Sequence, residues 1–390
     1  MSSPDQSDAD LPSRWPAIAL LAALGLALLW ANLNSSSYST VFHHQFSFDL
    51  GLPAVLASTL DWINSGLMTI FFLAIGLEVG HERRHGALAD SQHAVSPVVA
   101  ALGGMVVAAA VFVLVALVGG GDATVLKGWG IPMATDVAFA LGALQLLGAR
   151  VPSTLRAFVL ALAVADDIFS VIALGFTGST TIVLLWALLG IAVVLMVVMM
   201  RTKVFSRWPY VIATVALWWF MARSGIEPIL AGAIVGVLVP TGEDRSEPST
   251  STSLLRPIAR MSNAVVLPLF VLANAGIALK VSPLGSAAPL TTFIGLMLAR
   301  TFGKVLGIGG SVALLQMFHL GGLPRGVSWR QLLGAAALCG VGFTVPLLYA
   351  SIAFSGRGDL LAATKLALLL ASLVGFLLGM AVIAGRPNRK

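Results

Sequence analysis

The sequence predicts an all-α polytopic membrane protein with about twelve transmembrane helices, and three observations predict it. Its 390 residues are 58% hydrophobic and only 10% charged, against about 25% charged in a soluble domain. The apolar residues fall in runs near bilayer length, about 20 residues, separated by short polar or Gly/Pro breaks. The basic residues punctuate the ends of those runs and form no patch. The formal charge of +6 is therefore a topology signal and no sign of nucleic acid.

The spans fall at roughly 16–34, 59–80, 94–118, 123–146, 151–176, 180–200, 206–222, 226–240, 256–279, 287–314, 330–355 and 360–385. An even number puts both termini on one side. With that side inside, sixteen Lys and Arg lie at inner loops and span ends and four at outer ones, which assigns both termini to the cytoplasm. The expected organisation is a disordered cytoplasmic tail at 1–15, one transmembrane domain at 16–385 and a short cytoplasmic tail at 386–390. The N-terminal segment lacks the basic start of a signal peptide, so the first span is expected to stay uncleaved. The polar stretch Thr241–Ser253 suits a flexible linker. Gln45–Leu50 alternates polar and apolar residues, compatible with a small hairpin or an irregular loop. The single cysteine, Cys339, excludes a disulfide or zinc framework, and nothing calls for a cofactor.

Span five carries the chemistry. From Ala157 to Met200 the only charged residues are the adjacent Asp166 and Asp167. One such charge at bilayer depth costs roughly 2.5–3.5 kcal/mol even on the lenient insertion scale. An adjacent pair is retained when it handles protons, cations or both. Neighbours on a helix point about 100° apart, so one acid can face a cavity and the other a protein partner. Lys304, mid-span in ARTFGKVLGIGG with no local acid, is the expected partner.

Spans four and eleven are interrupted. Gly130 and Pro132 precede Thr135-Asp136, and Gly340, Gly342 and Pro346 bracket Phe343-Thr344. Broken backbone at membrane depth is tolerated only where it is buried in protein or lines a cavity. Two such breaks in corresponding positions of two halves point to a transporter binding site, with spans 3–5 and 10–12 as inverted repeats. Freed carbonyls attract cations, and Asp136 could offset the positive ends of half-helices. Glu78 and Glu82 end span two beside His81, Arg83, Arg84 and His85. They read either as a solvated cluster or as a pH-sensitive entrance. Glu227 is expected near the surface, and Arg300 and Lys365 to snorkel or pair.

These residues resemble the NhaA family of sodium/proton antiporters. The matching stretches are FFLAIGLEVGHE, GWGIPMATDVAFALGALQLLGARVPSTLRAFVLALAVADD, LPLFVLANAGIAL, GKVLGI and LCGVGFTVPLLYASIAF. ATDVAFALG followed by ALAVADD is the most specific pair. The resemblance implies twelve helices with the broken spans four and eleven crossing, and a homodimer in the cell inner membrane. It implies Asp167 as main sodium ligand and Asp166 as its neighbour, bridging to Lys304. Thr135 and Asp136 would lie beside the site, and Glu78 and Glu82 in a pH-responsive funnel. The implied activity exchanges one sodium or lithium ion for two protons. Three places depart from the family pattern: Ser65 stands where an acid is frequent, Glu227 where some members have histidine, and Leu255, Arg256 and Ala259 where span nine starts with pH-sensing acids and histidines.

Other readings are weaker. An intramembrane aspartyl protease needs two aspartates converging from different helices, and adjacent ones diverge. A light-driven proton pump would use a lysine of the last span, where Lys365 stands, but needs neither twelve spans nor two breaks. A sodium-coupled symporter of a small solute is the nearest rival, and it needs more polar groups around its site than this chain offers.

Overall fold

The computed structural model describes residues 15–45, 58–85, 91–175, 183–200, 206–240, 250–277 and 284–385, which form helices and no strands. Each sequence-predicted span has its counterpart. The first is α1 (Trp15–Leu33). It turns by 118° into a short helix that hydropathy does not reveal, α2 (Ser35–Phe42). The turn follows from local chemistry. The Asn34 side chain accepts the Ser37 N–H at 2.9 Å and caps a new helix. Gln45 and Ser58 form an isolated antiparallel bridge. The rest of the Gln45–Leu50 segment lies outside the described residues.

Span two comprises α3 (Thr59–Asp61), a π turn over Trp62–Leu67 and α4 (Met68–His85). Span three is α5 (Ser91–Val118). Span four is α6 (Ala123–Leu126), a 3-10 turn at Lys127–Gly130, a break, then α7 (Val137–Leu146). Spans five to eight are α8 (Ser153–Gly175), α9 (Leu184–Met200), α10 (Trp208–Ser224) and α11 (Leu230–Leu238). Span nine is α12 (Thr250–Met261), a π turn at Ser262–Val266 and α13 (Leu267–Asn274). It begins inside the stretch read as a linker, of which 241–249 is outside the described residues. Span ten is α14 (Ala287–Leu298), a π turn at Ala299–Gly303 and α15 (Lys304–Met317). Span eleven is α16 (Trp329–Leu338), a break and α17 (Thr344–Ala353), and span twelve is α18 (Gly358–Ala384).

The inverted repeat follows from parity. Spans three and ten run in opposite directions, and each opens a three-span unit whose middle member is broken. The two units meet face to face, α5 against α14 and α15. The remaining helices pack around this pair, with α4 against α11 and α9 against α10. In a membrane such contacts depend on close packing, because lipid tails are as apolar as leucine. Glycines supply it. A Cβ on Gly232 would lie 2.1 Å from the Thr69 carbonyl oxygen, and one on Gly307 would lie 2.2 Å from that of Gly103. Only hydrogen fits where α11 crosses α4 and α15 crosses α5. The outward faces are apolar, as on α9, where Leu185, Leu188, Ile191 and Leu195 are exposed.

Candidate ion-binding site

The two broken spans cross at their breaks, and the chain satisfies the freed backbone groups itself. α16 ends at Leu338 and α17 starts at Thr344, leaving Cys339–Phe343 unwound. The break in span four covers Ile131–Asp136. The Asp136 N–H donates to the Val341 carbonyl at 3.1 Å, and the Thr135 hydroxyl donates to the Cys339 carbonyl at 2.8 Å. The two unwound segments thus bond to each other as well as to their own helices.

The half-helix ends carry partial charges of about half an electron, and each finds a counter-charge. The Asp136 carboxylate accepts the Phe343 N–H, the Thr344 N–H at 3.1 Å and the Thr344 hydroxyl. It caps the positive start of α17. The opposite job falls to Arg300, fully buried in the π turn of span ten. It donates to the Gly340 carbonyl at 3.0 Å and to the Ala134 and Ile131 carbonyls at 3.2 and 3.4 Å. One guanidinium therefore holds the negative ends on both sides of the crossing. Of the two expectations from its sequence context, Arg300 pairs and does not snorkel: fully buried in the repeat interface, it takes backbone carbonyls as partners.

α8 lies beside the crossing and divides the acid doublet. Asp166 is wholly buried, and its Oδ2 lies 2.7 Å from Lys304 Nζ, which is equally buried. Breaking such a pair strands a charge at a cost of about 3–5 kcal/mol. Asp167 points elsewhere. It lines a cavity of about 450 Å³ together with Asp136, Thr135, Thr344, Glu78 and Asn263. The structure thus brings Asp167, Asp136 and Thr135 to one cavity and puts Asp166 with Lys304 behind it.

Glu78 lines the same cavity from α4. Glu82 lies on the last turn of α4, and its side chain is outside the described residues. Glu227 is half-buried, and Lys365 lines a separate cavity of about 240 Å³ with Tyr38 and Asn274. Neither lines the Asp167 cavity. Ser65 is buried and accepts the Trp218 indole N–H at 3.0 Å. Ala259 lines the Asp167 cavity, and Arg256 is exposed.

Sequence reasoning missed two parts of this arrangement. Arg300 is one. The other is the set of three π turns, which re-aim side chains inside spans two, nine and ten. Single π turns interrupting α-helices gather at functional sites. Here they carry Ser65, the cavity residues Ser262 and Asn263, and Arg300. Hydropathy gives no sign of a π turn, but an arginine mid-span without a local acid is itself the signal that could have exposed Arg300.

Comparison with known proteins converges on one family. A profile described as Na+/H+ antiporter 1 matches residues 13–383. The Na(+)/H(+) antiporter NhaA of Granulibacter bethesdensis is 38% identical, over 94% of this chain and 92% of its own length. That of Salmonella arizonae is 37% identical, over 95% of each. Among solved structures, the sodium proton antiporter MjNhaP1 of Methanocaldococcus jannaschii aligns with a TM-score of 0.56 at 14% identity, over 95% of this chain and 96% of its own. That likeness is one of fold. With a family match running almost end to end, over a crossing of two broken helices beside an acid doublet, this chain belongs to the NhaA family of Na+/H+ antiporters.

Proposed function

We propose that the protein exchanges Na+ or Li+ for H+ by competition at Asp167, which takes up one or the other while the crossing moves around it. The observation that carries this reading is the division of the doublet: one acid is tied to Lys304, and the other opens to a cavity at the broken helices. A carboxylate out of water is neutralised either by a proton or by a cation. A cavity lined by Thr135, Asp136 and Thr344 brings oxygen-bearing residues beside Asp167, and a hard cation wants oxygen ligands.

Coupling follows when only the occupied site crosses the barrier. Sodium arrives and a proton leaves; on the other face the exchange reverses. Asp166 carries the second proton: when it is protonated its pair with Lys304 loosens, and when it is ionised the pair reforms. With two protons per sodium, each cycle moves one net charge, worth roughly 2.3 kcal/mol per 100 mV. The inward proton gradient then expels sodium. Glu78 and Glu82 form the entrance from the cytoplasm, the side to which the charge bias assigns both termini. The protein works in the cell inner membrane as a homodimer, its exposed apolar faces on lipid. No catalytic chemistry is needed.

The test is sodium- and lithium-induced collapse of a pH gradient in proteoliposomes. The parent chain should respond, and Asp167→Asn should not. Exchange at unaltered apparent sodium affinity in Asp167→Asn overturns the assignment. Uptake of an organic solute driven by sodium would replace antiport with symport.

A further inference from the structure

Unwound carbonyls at half-helix ends are what sodium-coupled transporters use to bind sodium. This crossing has them from both broken spans, at Ile131, Ala134 and Gly340, with the Asp136 carboxylate nearby. Left alone, three carbonyls and an acid would make a second cation site beside Asp167. Arg300 stands in that place. Its Nε and Nη1 take all three carbonyls, and it interacts electrostatically with Asp136 and Asp166. The fit is close: a Cβ on Gly342 would lie 2.3 Å from Arg300 Nη2, so glycine at that position makes room for the guanidinium.

Charge accounting gives the same result. Lys304 balances Asp166 through a direct ion pair. Arg300 balances Asp136 across the unwound segments. Asp167 interacts with the Lys304 that is already paired to Asp166 and has no ion pair of its own among the described residues. A guanidinium stays protonated at any working pH, so this cation never exchanges.

We propose that Arg300 is the resident cation of the helix crossing: it fills the carbonyl ends of both broken helices, keeps a second sodium ion out and leaves Asp167 as the one exchangeable cation site. This rests on the reading of Asp167 as the ion ligand. Arg300 is a positioning and specificity residue, since it touches neither sodium nor the exchanged proton.

The test compares the parent chain with Arg300→Gln and Arg300→Lys, purified in detergent. Radioactive sodium binding at saturation should give one ion per chain for the parent and for Arg300→Lys, which keeps the charge. Arg300→Gln should bind two. Its thermal unfolding should also rise more steeply with NaCl than the parent's does, and not with choline chloride, because sodium takes the vacated carbonyls. If Arg300→Gln is folded, binds one sodium and shows the parent's sodium response, the proposal fails. If Arg300→Gln does not fold, the double variant Arg300→Gln/Asp136→Asn decides. It removes both charges while the introduced amide can still accept from the start of α17, and the proposal expects it folded with one sodium bound. Failure of the double variant as well overturns the proposal. A parent chain that binds no sodium would overturn the assignment of Asp167 and this inference with it, whereas loss of binding in Asp167→Asn alone separates the two.

Discussion

At the scale of the residue, the acid doublet shows how one backbone step assigns two roles. Asp166 and Asp167 share a helix turn and differ by about 100° in direction. That rotation sends one into a buried ion pair and the other to a cavity. The pair's energetics are asymmetric. Lys304→Ala should cost about 3–5 kcal/mol of stability by stranding the Asp166 charge, read as a fall in thermal unfolding temperature in detergent. Lys304→Met combined with Asp166→Asn should recover much of that loss, because no charge is then left unpaired, while the proton-coupled step stays impaired in a vesicle assay. If the double variant is no more stable than Lys304→Ala, the ion pair is not the source of the loss. The doublet and its relation to Lys304 were legible in the sequence, because an acid or a base mid-span has no bland reading. Arg300 was equally conspicuous, yet its partners are backbone carbonyls, 166 positions away in one broken span and 40 in the other. No side-chain pattern announces a carbonyl.

At the scale of the element, the broken helices are built by local chemistry and closed by long-range bonds. Glycine and proline open the backbone in spans four and eleven, and that is visible in the sequence. Which half-helix end receives which counter-charge is not, because it depends on how the segments cross. The contrast recurs in capping. Asp122 caps α6 through the Val125 and Thr124 N–H groups, at 2.9 Å each. Those bonds, the Val125 one foremost, hold its carboxyl below the usual aspartate range. A depressed folded pKa contributes stability above the unfolded value, lost as pH falls through the folded one. Asp122→Ala should therefore unfold at a lower temperature than the parent at neutral pH, with the difference closing on acidification below the aspartate range. A difference that persists at acid pH would mean that packing, not the carboxylate, is at stake. The close approach of α11 to α4 predicts a further effect. Gly232→Val must push the Thr69 carbonyl aside and should destabilise by about 1–3 kcal/mol or more, measured by chemical unfolding in detergent. The three π turns belong to this scale too. Each widens the helical turn where it occurs and so shifts the faces beyond it. A periodicity argument carried through them misplaces the side chains that follow.

At the scale of the molecule, the two inverted units make one crossing out of two breaks, and the other helices enclose it. The Asp167 cavity is lined along α4 by Phe71, Ala74 and Glu78 and along span nine by Ala259, Asn263 and Leu267. If the charge bias sets the orientation, this cavity opens to the cytoplasm. Ala259→Cys should then react with a membrane-impermeant maleimide in everted vesicles and not in intact cells. The native Cys339 is buried and does not compete. Labelling from the outside in intact cells would invert the topology.

Hydropathy determined the twelve spans, because the bilayer demands apolar length whatever the fold. The cost of an ionisable group in that setting singled out Asp166, Asp167, Asp136 and Lys304, and glycine and proline marked the two breaks. The tertiary structure decided the rest: that α1 turns sharply at Asn34, that Asp136 serves the start of α17, and that Arg300 holds carbonyls from both broken spans. Composition and spacing report what a residue must avoid, which is lipid. Its partner is set by where a distant stretch of backbone comes to lie, and only the packed repeats determine that.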